Sequence, residues 1–487
     1  MRRWRRTRLT GAAAGLALCD PGLYAAPWRG MDDHHRAQLD RCYGGRRWIV
    51  ATDILQGATS TVAALHDHGA DAVMVVAGGG GVGPVPDVPV ALLNTRGATV
   101  MEAIRAFECA LVELDGPVRA KIEAFDPTGD ARVIGSPFTA HATVAGRAVH
   151  GTRHPSWRLL EDKTVVDALW DDAGVPRAPS AVVDVDHATL VAASATLDEG
   201  AGVVWAVDNR QGFHGGAAGL RWVRSPDQVD EALALVAPVA DRVRVMPFLE
   251  GLPCSIHGIA FNGCTVALRP CEMIVLRRPG RGDLQYAGTA STWDPPPARR
   301  DALRALAVRV GDHLRASIGY RGVFTIDGVM TRDGFRPTEL NPRFGAAAHL
   351  LAAVSEVPLY LVHLAVVERT PADWRSTDLA GTVVDATDRV RAVRSLVAIG
   401  RTLPDDDIAL AWEGDRLVRT DRAAGADVTV RSGPSHVGGA VQVRVDAGRV
   451  PPGRSVAPVV AAALGFADAE WGLGLGPLEP APDLTAR

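Results

Sequence analysis

One stretch constrains this chain more than any other: GYRGVFTIDGVMTRDGFRPTELNPRFG, from Gly319 to Gly345. It reads as a β-hairpin. The first arm is the β-branched and apolar run Val323 to Met330, the second begins at Phe335, and Arg332-Asp333-Gly334 lies between them. A three-residue loop ending in Gly suits a type I turn followed by a left-handed residue. With that loop Thr331 faces Phe335, so Asp327 lies directly opposite Glu339 on one face, with Cβ atoms ~5 Å apart. Asn341 falls on the same face because strand side chains alternate. A two-residue or four-residue loop breaks this register. Like charges facing each other destabilise a hairpin unless a cation lies between them. Carboxylates and an amide carbonyl are the oxygen ligands Mg²⁺ prefers, commonly alongside phosphates. Arg343 adds a planar fork for phosphate or carboxylate. The competing reading is a solvated surface hairpin with scattered charge.

Other segments carry further signals. Glu161-Asp-Lys-Thr164 precedes a helical face built on Val165, Leu169 and Trp170, which Gly174 and Pro176 end. The chain has only two lysines, Lys121 and Lys163, so a lysine that persists here marks a position where arginine is no substitute. A surface lysine at a helix start is the bland alternative for Lys163. A strand, Val203 to Val207, leads into Gly212-Phe-His-Gly-Gly-Ala-Ala-Gly219, and glycine backbone of this kind can wrap phosphate oxygens. By contrast, Gly78 to Gly83 follows a buried-type strand, Ala72 to Ala77, but Pro84, Pro86 and Pro89 forbid the helix a dinucleotide site needs. It reads as a loop at the edge of a small α/β unit.

Asp327, followed twelve positions later by Glu-Leu-Asn-Pro-Arg, resembles the metal-binding end of the ATP-grasp superfamily. The resemblance covers about 150 to 370. It implies a mixed α/β and α+β chain: an ATP-grasp fold with a preceding small α/β domain and a C-terminal α+β extension. The implied segments are 1–30, a disordered or overcalled extension; 31–150, the preceding domain; 151–370, the nucleotide- and metal-binding domain; and 371–487, the C-terminal domain. It also implies ATP and two Mg²⁺ ions, with Mn²⁺ able to stand in. Asp327, Glu339 and Asn341 are the expected metal ligands. Lys163, Gly212, His214, Gly215 and Gly216 are expected on the triphosphate, Met246 and Phe248 on the adenine, and Glu250 on the ribose. Arg343, Lys163 and Arg269 are the expected catalytic residues.

Two departures from the family pattern stand out. The strand before the glycine loop has Trp205, Ala206 and Val207 where a second lysine is usual, with Arg210 or His214 as candidate replacements. Pro253 occupies the ribose glutamate position, which leaves Glu250 as the nearest carboxylate. For Arg269, contact with a substrate carboxylate and a buried contact with Glu272 are both open.

The activity implied is ATP-dependent ligation of a carboxylate to an amine through an acyl phosphate, releasing ADP. The segments Glu-Asp-Lys-Thr, Met-Pro-Phe-Leu-Glu-Gly and Ser-Ile-His-Gly, with the C-terminal extension, resemble the pheganomycin-type peptide ligases, which implies peptide or antibiotic biosynthesis. The rival readings are a carboxylase-type ATP-grasp reaction and an inactive nucleotide-binding scaffold.

Composition narrows the setting. The 487 residues suggest about three domains, and the 47% hydrophobic and 22% charged content is that of a globular protein. A net charge of −4 gives no electrostatic case for nucleic acid or an anionic membrane. None of the six cysteines forms a CxxC pair, so a reducing cytoplasm is the expected setting. Arg2 to Arg8 followed by Leu9 to Cys19 imitates a secretory signal, but the apolar run is weak, and Met31 is an alternative start. Small-molecule or peptide carboxylate and amine substrates are the expected partners, with a homodimer by analogy with related enzymes.

Overall fold

The structure is a computed structural model that describes residues 28–485, apart from 82, 211, 213, 415 and 422–425. Most of the expected N-terminal extension therefore lies outside the described residues. Trp28 and Met31 are buried in the main hydrophobic cluster.

The N-terminal part is a parallel sheet in the order Val90–Leu92, Ala72–Gly79, Arg47–Ile54, Arg132–Ile134. The continuous apolar run in Ala72–Gly79 has a simple cause: both faces are covered. Val73 and Val75 pack in the cluster that includes Val62 and Leu65 of the helix Thr59–Asp67. Met74 and Val76 pack against Phe107 and Leu111 of the helix Val100–Val112. Among the described residues no helix forms between Gly79 and Val100, in keeping with the three prolines.

A second, antiparallel sheet runs Ala181–Asp184, Arg242–Pro247, Val203–Val207, Leu220–Val223. It has its own core, which includes Leu190 and Val236 of the helices His187–Leu197 and Val229–Val236.

The third sheet is twelve-stranded, and ten strands form one path. It begins at the hairpin Gly334–Asn341 and Gly322–Thr331. It continues through Leu252–Ala260, Cys271–Arg278 and Asp283–Ala290, then crosses to Val393–Ile399, Gly438–Val445, Val428–Ser435, Asp406–Glu413 and Arg416–Arg419. The segment after 371 therefore continues the same sheet. At the junction Gly288 pairs with Ser395. Its φ is +134°, and a Cβ there would lie 2.1 Å from the carbonyl oxygen of Arg394, so only glycine fits this crossing.

Two helices follow the hairpin, Ala346–Ser355 and Leu359–Val367. Glu356 turns left-handed (φ 54°), and Pro358 cannot continue the first helix. The C-terminal helix spans Ala457–Trp471. Among the described residues no helix is long and apolar enough to cross a membrane.

Glu272 joins the sheet to that C-terminal helix. Its buried carboxylate accepts from the Ser455 hydroxyl (2.6 Å), Val456 N–H (2.9 Å) and Ala457 N–H (3.2 Å). Burial pushes it up to about 7 from an ordinary 4.5, against the pull of those three donors. The folded protein then holds a proton that the unfolded chain has lost. The stabilisation is complete below pH ~4.5 and disappears as pH rises through about 7. Glu272→Gln is expected to flatten the fall in stability between pH 5 and pH 8, read by denaturant titration. Parallel wild-type and variant curves would show that Glu272 is ionised throughout.

Candidate nucleotide and metal site

The hairpin pairs Asp327 with Glu339 and Thr325 with Asn341. The register around the carboxylates is the expected one, but the turn is not. Thr331 pairs with Gly334, not Phe335, leaving a two-residue loop of Arg332 and Asp333. A bulge restores the pairing: Gly328 faces Pro337 while Asp327 faces Glu339, so Thr338 is the extra residue. The one-residue error at the turn is cancelled before it reaches the carboxylates.

Asp327 is held from two sides. The Ser255 hydroxyl donates to Oδ1, and Asn341 Nδ2 donates to Oδ2 at 2.9 Å. Burial first, and then the facing Glu339, push Asp327 up to about 7. Glu339 is held by Lys163, whose Nζ lies 2.9 Å from Oε2. Arg343 donates to Asn341 Oδ1 at 2.8 Å, approaches Glu161 at 3.4 Å, and stacks over Phe138 at 4.5 Å. Glu161 is itself buried against Arg153. The guanidinium is thus fixed beside the carboxylate pair.

This donor set fits Mg²⁺. Two carboxylates and an amide lie side by side, and burial together with the facing Glu339 holds Asp327 above the ordinary carboxylate range. Among the described residues no group of three or more His, Cys, Asp or Glu could hold a metal by itself. An ion here needs oxygens from a second molecule, which matches the habit of Mg²⁺ to bind one or two carboxylates plus phosphate.

A cavity open to solvent lies between the four-stranded and twelve-stranded antiparallel sheets. Lys163 and Glu339 line one end, and Met246, Phe248 and Leu249 line its wall. Phe248 is stacked on Trp222 (4.1 Å between centroids, 18° between planes), with Arg277 over its ring at 4.9 Å. Expected adenine-side residues Met246 and Phe248 therefore share one cavity with Lys163 and Glu339.

The glycine loop reaches back to the N-terminal part. Gly212 approaches the Arg105 side chain and Gly215 approaches Met101, both on the helix Val100–Val112. His214 is half-buried. Burial, with Lys163 and Arg105 nearby, holds its imidazole below the ordinary value. Gly216 is left-handed at φ 62°. Phe213 lies outside the described residues.

Three expectations do not fit the placement. Arg269 is fully buried and paired with Asp388 and Asp294, and it also donates to the carbonyl oxygens of Ser291 and Trp293. It does not line the cavity. Its guanidinium is held by two carboxylates on later segments and not by Glu272, which is bound to Ser455, Val456 and Ala457. Glu250 is exposed and bridged by both terminal nitrogens of Arg277 (3.2 and 2.7 Å), and it too is absent from the cavity wall, where Pro253 stands. Arg210 pairs with Asp241 and the carbonyl oxygens of Ala237 and Pro238, away from the cavity.

Arg244 is a further cation beside the strand where a second lysine is expected. It lies directly opposite Ala206 on the neighbouring strand, is fully buried, and lines the cavity. Asp167 holds it at 2.8 and 2.6 Å, and it donates to the Thr338 carbonyl at 3.2 Å. The available signal was an arginine within the apolar strand Val243 to Met246. Ser255, Glu161 and Phe138 also became visible only with the fold.

No protein-family model and no curated protein matches the chain. Solved structures do. A pyruvate carboxylase from Rhizobium etli aligns over 82% of this chain and 36% of its own, with 15% identity and a TM-score of 0.51. An N5-carboxyaminoimidazole synthase from Aspergillus clavatus, solved with ADP and 5-aminoimidazole ribonucleotide, aligns over 84% and 95%, at 12% identity and 0.48. A D-alanine–D-alanine ligase from Coxiella burnetii aligns over 48% and 62%, at 12% identity and 0.34. Identities this low speak to fold alone. The mixed α/β chain, with two antiparallel sheets facing across a cavity, has an ATP-grasp fold.

Proposed function

We propose that the protein is an ADP-forming ligase that joins a carboxylate to an amine through an acyl phosphate, in peptide or specialised-metabolite synthesis. The observation that carries this reading is the Asp327–Glu339 pair, met by Lys163 at the mouth of the inter-sheet cavity. Met246 to Leu249 would receive the adenine, with Phe248 presenting an aromatic wall. Asp327, Glu339 and the Asn341 amide would hold Mg²⁺, which when bound neutralises phosphate charge. Lys163, from the loop before the helix Val166–Asp172, and Arg244, from the strand Arg242–Pro247, would meet phosphate oxygens. Arg343, fixed by Asn341, Glu161 and Phe138, would orient the acceptor carboxylate and offset charge on the transferred phosphoryl group. The glycine loop would exclude water from the acyl phosphate. Little covalent participation by protein is required, because positioning and charge supply most of such catalysis.

The test is incubation with Mg-ATP, pools of amino acids as acids and amines, and hydroxylamine as a trap. Hydroxamate and ADP are the expected products, with amides forming when hydroxylamine is left out. A bicarbonate arm tests the carboxylase-type alternative: ADP release that requires bicarbonate and yields no hydroxamate would replace the ligase reading. Tight ATP binding without turnover in any arm would favour the scaffold.

A further inference from the structure

A second, larger space lies outside the inter-sheet cavity. Its walls are the carboxyl end of Arg47–Ile54, the loop Gly135 to Phe138, the strand Val393–Ile399 and the turn Ser435 to Gly438. Phe138 is shared: its ring stacks on Arg343 and also forms part of this wall. The space therefore adjoins the guanidinium that flanks the carboxylate pair.

Two side chains brought together from opposite ends of the sequence face this space. Asp53 comes from the N-terminal parallel sheet and His436 from the turn of the C-terminal extension. Both ring nitrogens of His436 are buried and without a hydrogen-bond partner among the described residues. The imidazole and the carboxylate attract one another, while burial penalises the charged form of each. Glu108 adds negative charge near Asp53 from behind Ser136 and Thr139, to which it is hydrogen-bonded. Neutral His349, Tyr360 and the cationic Arg394 complete the titratable wall. A carboxylate reinforced by a second one, next to an imidazole with free lone-pair capacity, suits a ligand that brings a positive charge and N–H donors.

We propose that this cavity takes the amine substrate as a primary ammonium, and that Asp53 pairs with it while His436 removes its proton. This rests on the ligase reading. The ammonium gives one proton to the imidazole, and the freed lone pair forms the C–N bond at the acyl carbon. The tetrahedral intermediate then loses the nitrogen's second proton to phosphate or solvent. The C–O bond to phosphate breaks, and its electron pair leaves with the phosphate. The C-terminal extension thus helps select the amine.

Two measurements separate this inference from the ligase reading. In the first, without nucleotide, melting temperature is read with a panel of amino-acid amides, which carry the ammonium but no carboxylate. At least one amide is expected to raise it for the wild type and to fail with both Asp53→Asn and His436→Gln. His436 lies on a turn, so its variant guards against misfolding of the Asp53 variant. No shift for the wild type with any amide, or a shift that survives both substitutions, overturns the pocket. The second measurement is amide formation under Mg-ATP. Asp53→Asn is expected to raise KM for the amine roughly tenfold or more, the loss of one hydrogen-bonded charge contact, with KM for ATP unmoved. An unchanged amine KM overturns the assignment. Absence of hydroxamate with every acid overturns the ligase reading, and the melting result then stands or falls by itself.

Discussion

Replacing Glu339 with alanine is expected to lower Mg-ATP-dependent ADP release by roughly 10²–10³-fold or more, the scale of losing one charge-stabilising group aimed at the reacting centre. The substitution removes one of two carboxylates locked in register by the hairpin. Without Mg²⁺ its effect on stability should be small, because relief of the like charge facing Asp327 offsets loss of the Lys163 ion pair. Stabilisation by Mg-ATP should disappear, since a ligand that binds only the folded state raises its stability by mass action. The combination is diagnostic, for a merely structural residue would lose stability in both conditions. Undiminished ADP release from folded Glu339→Ala protein would sink the metal assignment.

Lys163→Met is expected to reduce turnover about 10²-fold, and Lys163→Arg to recover little of it, on the scale of one electrostatic donor. Lys163 is mostly buried (11% exposed) and touches Glu339 at 2.9 Å. A compact ammonium fits between that carboxylate and a phosphate oxygen, whereas a planar guanidinium needs a wider, two-pronged partner. The comparison is informative in a chain that otherwise uses arginine almost throughout. Steady-state kinetics for ATP and for the acid settle it; near-wild-type turnover by Lys163→Arg would remove the special role of lysine.

Legibility in the sequence followed the range of the forces involved. The hairpin and its carboxylate pair were readable because period-two alternation and local turn chemistry act within about twenty residues. Even there the turn was misjudged, and Thr338 shows why: a bulge leaves no composition signal, so two local errors in register cancelled unseen. The parallel sheet was readable from the apolar run Ala72 to Ala77. Arg244, Arg269 and Glu250 were not assignable, because the partner that fixes each one lies far away in sequence: Asp167, Asp388 and Arg277 respectively. A charged side chain is placed by its counter-charge, and spacing within one segment does not reveal that partner. Asp53 and His436 are the extreme case, since neither segment alone suggests a ligand.

The sheet junction at Gly288 and Ser395 bears on how this protein could be divided. Removing everything after 371 would strip the strand Asp283–Ala290 of its neighbour and bare a row of unmet N–H and C=O groups. Exposed edges of this kind recruit other chains. The part of the polypeptide that carries the inter-sheet cavity thus depends on the C-terminal strands to cover an open sheet edge, and any attempt to isolate a minimal fragment would have to supply a substitute edge.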